Sequence, residues 1–131
     1  MTAKLLIIDD AQTIRSYIAA ILENEGYRVL HASNGLDGLR LVREENPDLV
    51  LLDIEMPLMD GLECCRRIKQ DPSLENIRVI MVTTLSQYSK VTEAFKAGAD
   101  DYIVKPIEPK ELRDKVRELI KFVELRKLLK T

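Results

Sequence analysis

The sequence predicts an α/β fold, with a parallel β-sheet between layers of helices. Short apolar runs of strand length alternate five times with longer amphipathic stretches of helix length, which is typical of chained β-α units. Several of the apolar runs are almost continuous, as expected for strands buried on both faces of a sheet. With 131 residues, the chain is long enough for one domain that buries its own core.

Five strands are predicted, at 4–9, 27–32, 48–53, 78–84 and 101–106. The second, YRVLHA, alternates apolar and polar side chains like a half-buried strand. The first, third and fourth are nearly continuous in apolar residues, which favours central positions in the sheet. The fifth, DYIVKP, ends at a proline.

Five helices are predicted, at 11–26, 35–47, 62–72, 87–99 and from residue 109 onward. The first carries Ile14 and Ile18 at helical spacing. Asp10 is well placed to cap the amino terminus of this helix. Gly26 is expected to end it, because glycine readily adopts the left-handed conformation found after helices.

The other helices are predicted from the same kinds of pattern, apolar rows at helical spacing and residues that begin or end a helix. Leu36 and Phe95 are expected to face the core from the second and fourth helices, since both lie in apolar rows of helical spacing. Pro47 and Gly98 are expected to end those two helices. The last helix begins at Pro109, and proline is favoured in a first turn.

The composition excludes several classes of protein. The hydrophobic fraction of 46%, the charged fraction of 32% and the net charge of −2 are those of a soluble globular chain without a basic arm, so direct nucleic-acid binding is not expected. No apolar run approaches the ~20 residues of a membrane span, and the amino-terminal segment does not resemble a signal peptide. We expect a cytoplasmic protein with no membrane contact. Cys64 and Cys65, adjacent in a predicted helix, suit packing better than a disulfide or a metal site.

Polar and charged side chains follow four of the predicted strands. Because right-handed crossovers bring the carboxyl ends of parallel strands to one edge, and ligands bind at that edge, we expect these side chains to meet. They are Asp9, Asp10, Asp53, Thr83, Thr84 and Lys105.

The charges of this set predict a phosphoryl-transfer site. Two carboxylates ~4 Å apart repel by about 4 kcal/mol at an effective dielectric of about 20, and one lysine cannot neutralise three of them. Either protons or a divalent cation must therefore be present, and oxygen ligands select Mg²⁺ or Mn²⁺. Asp53, at the end of a central strand, is the candidate nucleophile toward a phosphoryl group. Lys105 and the hydroxyl of Thr83 are suited to contact the transferred oxygens.

The chain resembles the response-regulator receiver domains of two-component signalling over about residues 3–122. The matching motifs are IIDD, LLDIEMPLMDG, VIMVTT and AGADDYIVKP, in the family's order and spacing. The resemblance implies a single three-layer (βα)5 flavodoxin-like domain with sheet order 2-1-3-4-5. It also implies a receiver domain at 1–122, followed at 123–131 by a C-terminal extension of the last helix.

The resemblance implies roles for the acidic residues. Asp53 would accept a phosphoryl group from a histidine kinase or a histidine phosphotransfer protein, in a reaction that needs Mg²⁺ or Mn²⁺. Asp10 and Asp53 would bind the metal through their carboxylates, Glu55 through its backbone carbonyl and Asp9 through a water molecule. Lys105 would contact the phosphate. The chemistry would be limited to self-phosphorylation and self-dephosphorylation, without other enzymatic activity.

The resemblance also implies a switch. Thr83 would move to contact the phosphate, and Tyr102 would rotate inward with it. Packing against the fourth helix is the alternative role of Tyr102. Their movement would rearrange the face made by the fourth helix, fifth strand and fifth helix, where a downstream protein or an output domain would dock. The bond between Lys105 and Pro106 is expected to be cis, which proline tolerates.

The last helix is longer than the sheet requires. One row of apolar residues is expected to face the domain, namely Leu112, Val116, Leu119 and Val123. A second row consists of Phe122, Leu125 and Leu129. It is interpreted as a homodimer contact, as the start of a linker to an output domain, or as a frayed tail. A homodimer through the face described above is also possible.

Other interpretations were weighed for single motifs. Asp9 or Asp10 alone is compatible with a simple helix cap. A phosphohydrolase of the haloacid-dehalogenase type also uses an aspartate nucleophile, but it needs an Asp-x-Asp pair where this chain has Asp-Asp. A flavodoxin-like cofactor binder needs a phosphate-binding loop rich in Ser, Thr and Gly after the first strand, where this chain has the acidic DDAQTI. His31 is expected to be an ordinary surface residue, and Asp100-Asp101 a solvated turn.

Overall fold

The computed structural model describes residues 2–130, so Met1 and Thr131, the outer residues of the predicted segments 1–122 and 123–131, lie outside the described part. Five parallel strands form one sheet in the order β2-β1-β3-β4-β5. The strands are β1 (Lys4–Ile8), β2 (Arg28–Ala32), β3 (Leu49–Asp53), β4 (Arg78–Thr83) and β5 (Asp101–Val104). The predicted sheet and the order that the resemblance implied are both confirmed.

Five helices cover the two faces of the sheet. They are α1 (Gln12–Asn24), α2 (Gly35–Glu45), α3 (Gly61–Gln70), α4 (Tyr88–Lys96) and α5 (Pro109–Leu129). A short 3-10 turn at Leu85–Gln87 precedes α4. Helices α1 and α5 pack on one face, and α2, α3 and α4 pack on the other. The predicted three-layer architecture is therefore confirmed.

The central strands have two buried faces, as their continuous apolar character predicts. In β1, Leu5 and Ile7 belong to the core under α1 and α5, while Leu6 and Ile8 belong to the core under α2–α4. All of β3 is buried as well. Because successive side chains of a strand alternate between faces, each buried apolar residue of these strands contributes to one of the two cores, with about 1.5–3 kcal/mol for a fully buried aliphatic side chain.

The predicted cap of α1 is wrong. Ala11, not Asp10, occupies the cap position and provides no side-chain hydrogen bond, and Asp10 is exposed. The carboxylate of Asp9 accepts a hydrogen bond from the backbone N–H of Ala11 at 2.8 Å. This bond two residues ahead satisfies a free amide before the helix begins, so Asp10 is left free to point its carboxylate toward its acidic neighbours.

Leu36 and Phe95 are exposed, contrary to prediction. Helix α2 packs through Gly35 and Gly38, where an added Cβ would lie 2.3 Å from the carbonyl oxygen of Met59 and 2.4 Å from Cδ1 of Ile8. This close approach of the two glycines turns the adjacent Leu36 away from the core. Phe95 packs on the outer surface of the domain instead, with its ring edge-on to Tyr102 at 6.1 Å.

The core-facing row of α5 differs from the predicted one. Leu112, Val116 and Ile120 are buried, whereas Leu119 and Val123 are only half-buried. The predicted row has a seven-residue repeat, and a straight helix drifts by about 20° per seven residues relative to such a row, so its later members lie nearer the margin of the contact. The predicted facing of the domain is therefore confirmed for Leu112, Val116 and Leu119, which packs partly buried against the same core, while Ile120 was missing from the predicted row.

The carboxyl-terminal part of α5 is helical up to Leu129. Nζ of Lys127 lies 2.8 Å from the Asp48 carboxylate, and the guanidinium of Arg78 lies 5.5 Å from the ring centroid of Phe122. The ion pair of Lys127 joins the extension to the residue before β3, while the choice among a homodimer contact, a linker and a frayed tail stays a prediction. Leu125 and Leu129 of the second apolar row are exposed.

Asp100 is not a solvated turn residue. Its carboxylate accepts hydrogen bonds from Lys69 Nζ at 3.0 Å, from Arg78 at 3.0 Å and from the backbone N–H of Val79 at 2.8 Å. Asp101 is the first residue of β5. The prediction is wrong because Asp100 joins α3 to the start of β4, and the local sequence of a turn does not indicate such tertiary contacts.

Across residues 2–130, no helix has the length and apolar character required to cross a membrane.

Candidate functional site

The carboxyl ends of three strands bring the predicted charged residues together. Asp9 directly follows β1, Asp53 ends β3, and Lys105 directly follows β5. One carboxylate oxygen each from Asp9, Asp10 and Asp53 lies within 4.8 Å of the other two. Nζ of Lys105 lies 3.3 Å from Oδ2 of Asp9 and 3.4 Å from Oδ1 of Asp53. The expected meeting of side chains 96 positions apart in sequence is confirmed.

The buried polar and charged residues lie at the carboxyl ends of the strands. Within the part of the chain that the structure describes, Asp9, Asp53 and Thr83 are the polar or charged residues that count as buried, with exposed fractions of 2%, 6% and 0%. Burying a charged group costs free energy unless it is paired. The cost of burying charge falls here on Asp9 and Asp53, whose carboxylates lie close together, which is typical of a functional site rather than of a stability element.

The environment of Asp53 disfavours its charged form. Burial, followed by the repulsion of Asp9, raises the pKa of Asp53 to about 6 from its ordinary value of 3.8. The ammonium of Lys105 opposes this shift but does not overcome it. The carboxylate therefore carries a free-energy penalty at neutral pH that a further positive charge would relieve.

The donor set fits a hard divalent cation. The three aspartates supply only oxygen ligands, which Mg²⁺ and Mn²⁺ prefer. Three carboxylates facing one lysine leave an excess of negative charge at a mostly buried position. Glu55 does not join them through its side chain, which is exposed and lies 3.5 Å from Nζ of Lys90.

The loop after Asp53 is anchored at both ends. The buried side chain of Ile54 holds its start, and the N–H of Gly61 donates to the carbonyl oxygen of Ile54 at 2.7 Å. Asp60 caps α3 by accepting from the N–H of Glu63 at 2.8 Å. The loop therefore holds the backbone next to Asp53 in one position.

Leu58, in this loop, has the left-handed backbone angle φ of 70°. Such a conformation costs roughly 1–2 kcal/mol for an ordinary side chain and less for asparagine. Because Leu58 is 74% exposed, its replacement loses little packing. We expect Leu58→Asn to raise the free energy of unfolding by about 0.5–1 kcal/mol, measured by urea denaturation.

Leu85→Asn is the matched control for this prediction, since Leu85 is 75% exposed and has no positive φ. Its replacement is expected to give no gain in stability. Equal effects of the two substitutions would show that solvent exposure, not backbone conformation, determines the result.

The contacts of Thr83 and Tyr102 are with residues other than the three aspartates. The hydroxyl of Thr83 donates to the carbonyl oxygen of Thr84 at 3.1 Å or to Oε1 of Gln87 at 3.3 Å. The ring of Tyr102 contacts the ring of Tyr88 edge-on at 6.2 Å, on the outer side of β5. Its packing against α4 agrees with the alternative role considered for it, while its role in switching stays a prediction.

The structure also shows the positions of Pro106, Thr84 and His31. The peptide bond between Lys105 and Pro106 is cis. Thr84 is a turn residue whose hydroxyl lies 2.8 Å from that of Ser86. His31 lies exposed on β2.

Cys64 and Cys65 are free and buried, in agreement with a packing role. Burial raises the pKa of Cys64 to about 12 and that of Cys65 to about 11. Both thiols are therefore protonated at neutral pH and are not reactive groups.

Two residues near the site were missed by sequence reasoning. Nη1 of Arg15 donates to the carbonyl oxygen of Asp9 at 2.5 Å, and no local pattern indicates this contact. Gln87 accepts hydrogen bonds from Thr83 and Thr84. A signal for Gln87 does exist, because Thr84 and Gln87 have the spacing of a capping box.

Comparison with known proteins agrees with this geometry. Residues 5–117 match the model of the response regulator receiver domain family. Sporulation initiation phosphotransferase F of Bacillus subtilis is 40% identical over 120 residues, which cover 92% of this chain and 95% of that protein. Transcriptional regulatory protein AfsQ1 of Streptomyces coelicolor is 38% identical over 117 residues, which cover 89% of this chain and 51% of that protein. The chain thus spans about half the length of several relatives that it matches.

A solved structure has the same fold. The crystal structure of a response regulator receiver domain protein (CheY-like) from Methanospirillum hungatei superposes with a TM-score of 0.89 at 32% identity, covering 96% of this chain and 99% of that one. The alternative of a haloacid-dehalogenase-like phosphohydrolase is not supported by any of these similarities. The chain belongs to the family of phosphoryl-accepting response regulator receiver domains of two-component signalling.

Proposed function

We propose that this receiver domain accepts a phosphoryl group on the carboxylate of Asp53, from a histidine kinase or a histidine phosphotransfer protein. The observation that carries the proposal is the position of that carboxylate. It lies at the carboxyl end of the central strand, 3.4 Å from the ammonium of Lys105 and within 4.8 Å of an oxygen of both other aspartates. The carboxylate of Asp53 is also buried, and its pKa is raised to about 6.

The proposed reaction is a displacement at phosphorus. A carboxylate oxygen of Asp53 forms the new P–O bond as the P–N bond to the donor histidine breaks, and the electron pair of that bond returns to the imidazole. The product is an acyl phosphate. The ammonium of Lys105 stabilises negative charge on the transferred oxygens, and the hydroxyl of Thr83 donates to one of them.

We propose that Asp10 and Asp53, through their carboxylates, hold Mg²⁺ or Mn²⁺ together with the backbone carbonyl of Glu55, and that Asp9 acts through water. The cation, when bound, supplies positive charge to the phosphoryl oxygens. The excess negative charge of the three aspartates and the oxygen-only donor set support this assignment.

The proposed output is a change of the face formed by α4, β5 and α5. The phosphoryl group carries up to two negative charges where the carboxylate of Asp53 carried one, and its oxygens attract the hydroxyl of Thr83. Tyr102 rotates inward as Thr83 leaves its place. The names of the relatives, a phosphotransferase and a transcriptional regulatory protein, suggest two kinds of recipient, a downstream protein or an output domain. A homodimer through this face or through the carboxyl-terminal helix is the second kind of assembly that we propose.

The test is phosphorylation by acetyl phosphate, a small-molecule donor, followed by intact-mass measurement. The wild type is expected to gain the mass of one phosphoryl group with Mg²⁺ and none with EDTA. Asp53→Asn should gain none, because the amide is not a nucleophile toward phosphorus. Asp114→Asn, which changes an exposed aspartate of α5, is the control and should behave as the wild type. Labelling of Asp53→Asn to the wild-type extent would contradict the proposal.

A further inference from the structure

The hydroxyl of Thr83 is held by partners other than the carboxylates. Thr83 is fully buried, and its Oγ1 lies 3.1 Å from the carbonyl oxygen of Thr84 and 3.3 Å from Oε1 of Gln87. Carbonyl and carboxamide oxygens only accept, so the hydroxyl must be the donor in either contact. Its single proton is therefore committed to the segment that follows β4.

The orientation of the Gln87 carboxamide is determined by its surroundings. Its Oε1 also accepts a hydrogen bond from the backbone N–H of Thr84 at 3.3 Å. A backbone N–H can only donate, so the oxygen rather than the nitrogen of the carboxamide must face Thr84 and Thr83. Oε1 of Gln87 is thus an acceptor available to the hydroxyl of Thr83, in competition with the carbonyl oxygen of Thr84.

Gln87 also stands at the junction between the site and the outer face. It ends the 3-10 turn Leu85–Gln87 and forms a capping box with Thr84. The next residue, Tyr88, begins α4, and its ring contacts Tyr102 at 6.2 Å. A change in the bonding of Gln87 is therefore transmitted directly to the first turn of α4.

We propose that Gln87 is a positioning residue that holds the hydroxyl of Thr83 away from Asp53 in the unphosphorylated state. This inference rests on the proposed function of Asp53. The hydroxyl has one proton and cannot donate to Gln87 and to a phosphoryl oxygen at the same time. Binding of the phosphoryl group must therefore break the bond that the hydroxyl makes to Gln87 or to the carbonyl oxygen of Thr84, and the acceptor on Gln87 adds to the free energy that the switch requires.

The test uses beryllofluoride with Mg²⁺, a non-covalent mimic of the phosphoryl group, and measures its dissociation constant by titration. Gln87→Met keeps the length of the side chain but removes the acceptor, and Gln87→Ala removes both. Both variants are expected to bind the mimic about two- to tenfold more tightly than the wild type, the range that corresponds to one net hydrogen bond. Thr84→Ala, which removes the other side chain of the capping box, should stay within about twofold of the wild type.

A double-mutant cycle separates this role from a loss of helix capping. In a Thr83→Ala background there is no hydroxyl to hold, so Gln87→Met should no longer tighten binding. The same tightening in both backgrounds, or none in the wild-type background, would overturn the inference while leaving the proposed function intact. A wild-type protein that does not bind beryllofluoride with Mg²⁺ would instead contradict the proposed function, and this inference with it.

Discussion

Asp53→Asn is expected to stabilise the metal-free protein by about 3 kcal/mol at pH 8. Burial and the repulsion of Asp9 raise the pKa of Asp53 to about 6 from its ordinary value of 3.8. The folded protein thus binds this proton more tightly than the unfolded chain does. The penalty for ionisation is absent below about pH 4, grows between about pH 4 and 6, and is complete above that range, at about 1.4 kcal/mol per pKa unit. Asparagine carries no charge at any of these pH values.

The measurement is urea denaturation of both proteins in EDTA at pH 8 and at pH 4.5. The stability gain should be large at pH 8 and mostly lost at pH 4.5. Added Mg²⁺ should stabilise the wild type by mass action and the variant far less, because one of the proposed ligands is gone. A gain that does not depend on pH, or a loss of stability at pH 8, would show that charge repulsion does not dominate at this site.

Gly61→Ala is expected to lower the free energy of unfolding by about 3 kcal/mol or more. An added Cβ at Gly61 would lie 2.0 Å from the carbonyl oxygen of Asp53 and 2.9 Å from Cα of Ile54. Both neighbours are backbone atoms in the buried centre of the fold, so relief requires a shift of α3 or of the end of β3. The displacement should also lower the rate of phosphorylation by acetyl phosphate, because it moves Asp53.

Gly26→Ala is the control for this clash. Gly26 has a φ of 93° but no atom within 4 Å of the added Cβ, so its substitution tests backbone conformation alone. It is expected to cost about 1–2 kcal/mol and to leave phosphorylation unchanged. Urea denaturation of both variants makes the comparison. A smaller loss for Gly61→Ala than for Gly26→Ala would contradict the close approach at Asp53.

Strand positions and the functional edge were predictable because they depend on simple physical rules. Continuous apolar runs such as that before Asp53 need two buried faces, and parallel topology then brings Asp9, Asp53 and Lys105 to the same edge. The order of the strands in the sheet was not predictable in this way. Apolar patterning does not distinguish one order of parallel strands from another, and the order followed from the family resemblance.

The features that the sequence did not predict depend on tertiary contacts. Leu36 is exposed because Gly35 and Gly38 bring α2 against the sheet, which an apolar spacing rule does not represent. Asp100 binds Lys69 and Arg78 from other elements, so its local Asp-Asp pattern was misleading. A capping-box spacing marks Gln87, but its bond to Thr83 appears only when the backbone after β4 is known.

The central claim, that Asp53 is the phosphoryl acceptor, is tested most directly by locating the modification. Borohydride reduces an acyl phosphate and converts the phosphorylated aspartate to homoserine, so peptide mass mapping identifies the residue that carried the group. After reaction with acetyl phosphate and Mg²⁺, homoserine is predicted at position 53. Homoserine at position 9 or 10, or at no aspartate, would contradict the claim.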